Sequence, residues 1–423
     1  MKVFKFGGAS TSTIERIQMV SDILRDHSNE KILVVVSAMG KFTNALEKVA
    51  ETFFAGQNEE ALQLFAAIKQ YHLDMATRLL KTGYNDAYDR MLDIFTEVEW
   101  LLHDKPVRGY DYYYDQIVCS GELLSSVIIS AVLKEQGLPN QWIDVRDVLR
   151  TDNSFREALV LTEATAIRIR DIMLPAFDRH NIIVTQGFIG CTDENESTTL
   201  GREGSDYTAA VFANLMNATE ATIWKDVEGL MSADPKSFPR AVVLQQLNYP
   251  EVVEIAYYGA QVIHPKTIQP LQHKNIPLYV KCFLNKQLPG TVIDSRPSQP
   301  LPPLIVLKHD QALLHLQTRD FSFAGGRPAA RLYTLLADLQ IQASLIQTGA
   351  VSIRVCIDDK ADKIEQLALT AANELEVHIE KGLTLLTIRH YTEELLQQLS
   401  AGRQILLRQQ SPETVQLLMT AIV

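Results

Sequence analysis

Residues 2–10, KVFKFGGAS, set a lysine inside a short apolar run and follow it with two glycines and small hydroxyl residues. Lys5 brings a full charge beside Gly7 and Gly8, whose amides can approach an anion closely because no Cβ stands in the way. The order reads as strand, bare-backbone turn and helix, with the helix starting near Ser10 to Thr13 and its positive end toward the glycines. Two readings stand, a phosphate-handling loop or an ordinary turn. A second glycine-bearing loop, TTLGREGSDYTAA at 198–210, holds Arg202, Ser205 and Asp206. A guanidinium there matches a carboxylate or phosphate with two parallel hydrogen bonds, and an aspartate can orient lysines or hold magnesium. Helix capping by Ser205 or Asp206 is the plainer use of the same residues. In WKDVEGLMSADP, 224–235, a strand ends at Lys225 and Asp226 and the chain turns through Gly229 toward Asp234 and Pro235. In CSGELLSS, 119–126, Glu122 stands near the start of an apolar helix, placed either to favour the helix dipole or to receive an ammonium group.

These clusters need a scaffold that gathers them. The runs KVFKF, KILVVVSA, IIVTQGFIG and ATIWKDV read as strands separated by segments of helical period, which predicts a largely parallel sheet covered by helices. In such sheets ligands gather outside the carboxyl ends of the strands, where all four clusters would stand. Ile32 to Val36 reads as a central strand buried on both faces. From about 43 to 110 the composition is helical with few breakers, which predicts two or three helices set to one side of the sheet. RPSQPLPPL places four prolines in nine residues, so a linker is expected over 296–303. Beyond it the order strand, helix, strand, strand, helix, strand over 304–382 fits a ferredoxin-like module. A second, truncated copy is expected over 383–423, ending in a helix from Pro412 onward.

With 423 residues, 46% hydrophobic and 22% charged, the chain can bury a large core. A net charge of −11 without a long basic run argues against nucleic acid or acidic membrane as a partner. No apolar stretch approaches the roughly 20 residues needed to span a bilayer, and the start lacks a signal-peptide pattern, so the cytoplasm is the expected location. Cys119, Cys191, Cys282 and Cys356 are widely spaced, which predicts reduced, buried thiols rather than disulfides or a zinc site. No HExxH appears, and no protein-built metal site is expected. GxxxxGK[ST], GxGxxG and an HRD and DFG pair are likewise missing, which sets aside the common nucleotide folds.

Taken in order, KFGGAS, VVVSAMGKFTNAL, SGELLSS, QGFIG, TTLGREGSD, DVEGLMSADP and YYGAQVIHP resemble the aspartate kinases of the amino acid kinase superfamily over essentially the whole chain. The C-terminal modules resemble the ACT regulatory domains that follow this kinase. The resemblance implies a three-layer α/β/α kinase domain over 1–295, followed by βαββαβ modules. It also implies ATP- and Mg²⁺-dependent phosphorylation of the β-carboxylate of L-aspartate, the first step toward lysine, threonine and methionine. Lys5, Gly7, Gly8 and Ser37 would then hold phosphate, with Lys5 and Asp206 catalytic. Thr43, Glu122, Arg202 and Ser205 would bind aspartate, Glu122 through its ammonium and Arg202 through its α-carboxylate. Lys225, Asp226, Gly229, Asp234 and Pro235 would bind the nucleotide. Many relatives carry lysine where this chain has Gln261, and Lys225 is expected to supply that charge.

Relatives that sense lysine carry acidic residues in the segment matching ASLIQTGAVSIRV, where this chain has Ser344 and Ala350. Feedback is therefore expected to be weak or altered, with the modules serving a homodimer. Kinases for other small acids share the first glycine loop, but SGELLSS, TTLGREGSD and the C-terminal modules argue against them. A non-catalytic amino-acid sensor is disfavoured because Lys5, Glu122, Arg202 and Asp206 are all present. The length leaves no room for a fused homoserine dehydrogenase. His264 is read as a turn cap, the tyrosines from Tyr110 to Tyr114 as packing, and Arg319 with Gly325 and Gly326 as shaping the first module.

Overall fold

The computed structural model describes residues 1–260, 263–297 and 300–420. They form two compact units, the first made of 1–230, 243–253 and 262–299 and the second of 231–242, 254–261 and 300–423. The second unit thus takes in two short segments that lie N-terminal to the proline-rich stretch at 296–303.

The first unit is built on strands β1 (Lys2–Phe6), β2 (Ile32–Val36), β3 (Asn140–Trp142), β4 (Ile182–Gln186), β7 (Glu220–Lys225), β8 (Gln246–Asn248), β9 (Leu278–Cys282) and β10 (Thr291–Asp294), in the order β3-β4-β2-β1-β7-β9-β10-β8. All neighbours are parallel except β9 and β10. The β-branched ILVVV of β2 is buried at every position, as a strand covered on both faces should be. The run IIVTQGFIG divides into β4 and β5 (Ile189–Cys191), and β5 leaves the main sheet to pair with β6 (Ser197–Thr199).

Helices α1 (Ile14–Asp26), α2 (Phe42–Phe54), α3 (Asn58–Leu79), α4 (Tyr84–His103), α5 (Tyr110–Val118), α6 (Ser120–Glu135), α7 (Thr162–Arg168), α8 (Leu174–Ala176) and α9 (Gly204–Leu215) connect these strands. Helix α6 packs on β2, β3 and β4, and α9 packs on β1, β2 and β7. Both are apolar around nearly their whole circumference, which suits helices enclosed in a core. The stretch Tyr110–Glu135 is long and apolar enough to span a membrane by composition, contrary to the expectation from sequence. However, 89% of that window is buried inside the protein, which marks a core element. The α-helix after the glycine pair begins at Ile14, capped by the Thr13 hydroxyl, and a single 3₁₀ turn over Gly8–Thr11 precedes it. The anion-facing end next to the glycines is therefore a tight turn of loop amides rather than a long helix.

Helix α10 (Tyr249–Tyr257) follows β8, and α11 (Pro265–His273) starts at His264, whose Nδ1 accepts from the Lys266 amide. That is the capping role read from the sequence. The tyrosine run also packs as expected, with the Tyr113 hydroxyl accepting from the Val107 amide. All four cysteines are buried and free.

The second unit carries a six-stranded antiparallel sheet, ordered β12 (Ala343–Thr348), β13 (Ser352–Asp358), β11 (Leu304–Thr318), β14 (Leu375–Arg389), β16 (Thr414–Thr420) and β15 (Ile405–Gln410). Strands β11 and β14 each run 15 residues and pair along most of their length, with irregularities between Lys308 and Leu313. The segment 311–380, with helices α12 (Arg327–Asp338) and α13 (Ala361–Ala371), closes one hydrophobic core around Leu314, Leu332, Val355 and Leu367. Residues 304–308 and 383–389 continue the same two strands, join β15, β16 and α14 (Glu393–Ser400), and enclose a second core around Leu386, Ile388, Val415 and Leu417.

One module is thus nested in the other, where the sequence suggested two in tandem with the second truncated. The helix expected from Pro412 is strand β16, since TVQLLMT is short, rich in apolar residues and hydrogen-bonded to a strand on each side. Arg319 donates to the Ala372 carbonyl inside the inner module.

Candidate active site

Register fixes where the functional residues emerge. Phe6 lies opposite Val36 and Trp224, and Val36 lies opposite Gln186, so four adjacent strands end at one level. The next residues, Gly7, Ser37, Gly187 and the terminal Lys225 of β7, therefore stand on a common rim. Along β1 the side chains alternate: Phe4 and Phe6 pack with Trp224, and Lys5 points to the opposite face. Lys225 is next in sequence to Trp224 and shares the Lys5 face.

The two ammonium groups meet one carboxylate. Lys5 Nζ lies 2.7 Å from Asp206 Oδ1, and Lys225 Nζ lies 4.0 Å from Oδ2. Asp206 sits in the first turn of α9 and is 3% exposed. Burial alone pushes its carboxyl up, but the charges of Lys5 and Lys225 outweigh that and hold it below the ordinary carboxylate range. The glycines make room for this pair. A Cβ on residue 7 would stand 3.3 Å from Lys5 Nζ, which places the ammonium over the bare backbone of Gly7. A Cβ on Gly8 would stand 2.5 Å from the Gly40 carbonyl oxygen and 2.8 Å from that of Ala38, so only glycine lets the first loop lie against the loop after β2. Gly187 does the same for α9, where a Cβ would fall 2.6 Å from the Ser205 Cβ.

Glu122 closes the inner end. It is 2% exposed on α6, its Oε1 accepts from the Ala38 amide at 3.2 Å, and its Oε2 has no partner. Burial pushes its carboxyl up to about 8, opposed by the Ala38 amide, its own backbone amide and the charge of Lys5. A buried acceptor left open costs free energy unless something arrives to use it. Ser205 is buried, whereas Ser37 and Thr43 are half-buried, Ser37 on the rim and Thr43 in the first turn of α2. Arg202 is exposed and forms no hydrogen bond or ion pair with any described residue, so its guanidinium is available to a ligand.

On the nucleotide side, Asp226 is exposed, and Gly229 lies where a Cβ would meet the Thr291 hydroxyl at 2.6 Å. Asp234 and Pro235 belong to the second unit, where Asp234 Oδ1 accepts from the Lys236 amide at 2.9 Å. Gln261 lies outside the described residues. Among the described residues no group of three His, Cys, Asp or Glu side chains could hold a metal ion. The sequence reading missed the amide of Ala38, the close approach of Gly187 and the buried Asp115. Only Gly187 carried a signal, as a glycine at the end of a strand-like run.

The amino acid kinase family profile matches residues 1–282. Lysine-sensitive aspartokinase 3 of Escherichia coli is 30% identical over 401 residues, covering 91% of this chain and 86% of that protein. The chain belongs to the aspartokinases, in the amino acid kinase family. Two crystal structures of an aspartokinase are similar along nearly the whole chain. E. coli aspartokinase III in complex with aspartate and ADP gives a TM-score of 0.84 at 28% identity, covering 99% of this chain and 96% of that one. The same enzyme in complex with lysine and aspartate gives 0.82 at 28% identity, covering 99% and 95%. The aspartokinase fold, a mostly parallel catalytic sheet followed by antiparallel ACT modules, is the one described above.

Proposed function

We propose that this aspartokinase transfers the γ-phosphoryl group of ATP to the β-carboxylate of L-aspartate, giving 4-phospho-L-aspartate and ADP. The observation that carries the reading is the convergence of Lys5 and Lys225 on Asp206 at the rim of the parallel strands, with the open carboxylate of Glu122 buried alongside. A substrate carboxylate oxygen attacks the γ-phosphorus while the bond to the leaving ADP oxygen breaks. The acceptor is already ionised at pH 7, so no general base is needed, and catalysis reduces to positioning and charge neutralisation.

Lys5 and the amides of Gly7 and Gly8 hold the charge that spreads over the phosphoryl oxygens, and Asp206 keeps the Lys5 ammonium aimed at it. Glu122 takes the substrate ammonium and Arg202 its α-carboxylate, with Ser37, Thr43 and Ser205 completing the cradle. Lys225, Asp226 and Gly229 serve the nucleotide, and the assignment of Asp234 and Pro235 to that task rests on family resemblance. Mg²⁺ enters with the nucleotide, since this ion is commonly held by substrate phosphates plus one or two carboxylates and the chain offers no cage of its own.

The protein works as a cytoplasmic homodimer joined through its ACT modules, without nucleic acid or membrane as a partner. Its response to lysine is weak. Ser344 stands where lysine-sensing relatives carry a carboxylate, and its hydroxyl already accepts from Lys308 at 3.0 Å. Aspartyl hydroxamate formation with ATP and Mg²⁺ tests the reaction, and inertness toward aspartate would defeat it. Repeating the assay with lysine tests the regulation, and strong inhibition at submillimolar lysine would reject that part alone.

A further inference from the structure

Asp115, on α5, has no exposed surface and lies outside the groups assigned above. Its carboxylate takes three hydrogen bonds from two other segments of chain. Oδ2 accepts from the Arg156 amide at 2.9 Å and the Thr199 amide at 2.8 Å, and Oδ1 accepts from the Thr199 hydroxyl at 2.7 Å. The two segments are also tied to each other, since the Ala158 amide donates to the Thr199 carbonyl at 3.0 Å. Gln116 extends the attachment as a strand would, its side-chain amide donating to the Ser197 carbonyl at 2.8 Å and accepting from the Ser197 amide at 3.1 Å.

Thr199 stands three residues before Arg202, in the loop that leads to Ser205 and Asp206. Arg156 adopts a left-handed backbone with φ 70°, a conformation that costs a non-glycine residue free energy and persists only where its surroundings hold it. Its guanidinium lies 3.7 Å from Glu47 of α2 and 3.3 Å from Asp111 of α5, and stacks 4.5 Å from the Tyr114 ring. Glu47 is one helical turn beyond Thr43 on the same face of α2. One buried carboxylate thus fastens together the helix that carries Thr43, the helix before Glu122 and the loop that carries Arg202.

We propose that Asp115 is a positioning residue that sets the aspartate-binding loop, acting through the backbone of Thr199 and Arg156. The proposal rests on the aspartate kinase reading for its kinetic consequence and on geometry alone for its structural one. Asp115→Ala leaves three buried donors unpaired and frees the loop from α5. Aspartate KM is expected to rise roughly tenfold or more while ATP KM stays within about twofold. Asp115→Asn restores most of the loss, because its amide oxygen can accept from both backbone amides while its NH₂ donates to the Thr199 hydroxyl. Thr199→Val removes only the hydroxyl bond and raises aspartate KM by a few-fold, which keeps the test available if the alanine variant does not fold.

Hydrogen exchange on the full chain without substrate gives an independent readout. The 197–203 segment is expected to exchange at least about tenfold faster in the alanine or valine variant, with β1 and β2 unchanged. Unchanged exchange in that segment would overturn the proposal, as would equal rises in both KM values or a lower Tm with wild-type KM. If the wild type is inert toward aspartate, the function reading fails on its own and exchange alone decides the role of Asp115.

Discussion

The two units use buried polar groups in opposite ways. In the catalytic unit, parallel strands end together, and each strand end hands a glycine, a lysine or a hydroxyl to one rim. The charges there are enclosed and only partly satisfied: Glu122 keeps an open oxygen, and Asp206 is shared between two lysines. In the ACT unit, the long antiparallel strands join two apolar cores, and the charged side chains of the sheet, such as Lys308 with Asp358, sit at its edges and irregularities. The first unit holds unsatisfied polar groups in reserve for a ligand, while the second spends its sequence on packing. Single polar substitutions should therefore break chemistry in one unit, and single apolar ones should break stability in the other.

The sharpest break is Asp206→Asn. It leaves Lys5 and Lys225 facing a neutral amide, so kcat/KM should fall by roughly 10²–10³-fold with the circular dichroism spectrum unchanged. A loss below tenfold would mean that the convergence at Asp206 is structural only. Lys225→Met should raise ATP KM by about tenfold with aspartate KM little changed, and near-wild-type values would remove Lys225 from the nucleotide side. The mirror experiment is Leu314→Ala, in the inner ACT core. It should cost about 2–5 kcal/mol of stability in denaturant melts while kcat of the folded enzyme stays close to wild type.

The smallest effect is a slope with pH. Glu122 is pushed up to about 8 in the folded state from an ordinary 4.5, and Asp115 to about 7 from 3.8. Across that window the folded protein binds more protons than the unfolded chain, so ligand-free stability should fall as pH rises from about 4.5 to about 8 and level off above. Glu122→Gln should flatten part of the slope in Tm measured at several pH values. An unchanged slope would show that Glu122 is ionised before substrate arrives.

Most of this scaffold was readable in the residues. Apolar β-branched runs gave β1, β2, β4 and β7, and the glycine pairs marked the loops between them. What composition could not show is which charges meet. Lys5 and Asp206 are 201 positions apart, and only the register of β1 against β7 and the seat of α9 on both bring them to 2.7 Å. Asp115 was hidden for a related reason, since it stands inside a tyrosine run whose periodicity speaks of packing and whose carboxylate finds partners 41 and 84 residues away. The last strand was misread because a seven-residue apolar run suits helix or strand equally until its neighbours are known.

The nesting of the ACT modules bears on how the chain assembles. The outer module must pair Leu304–Lys308 with Leu385–Arg389, and an open chain would have to close a long loop to do so. Once the inner module has formed, its strands β11 and β14 already lie side by side, and the outer pairing only extends a ladder in place. The inner module thus acts as a clasp that converts a distant encounter into a local one. The outer core is therefore expected to form after the inner and to open before it.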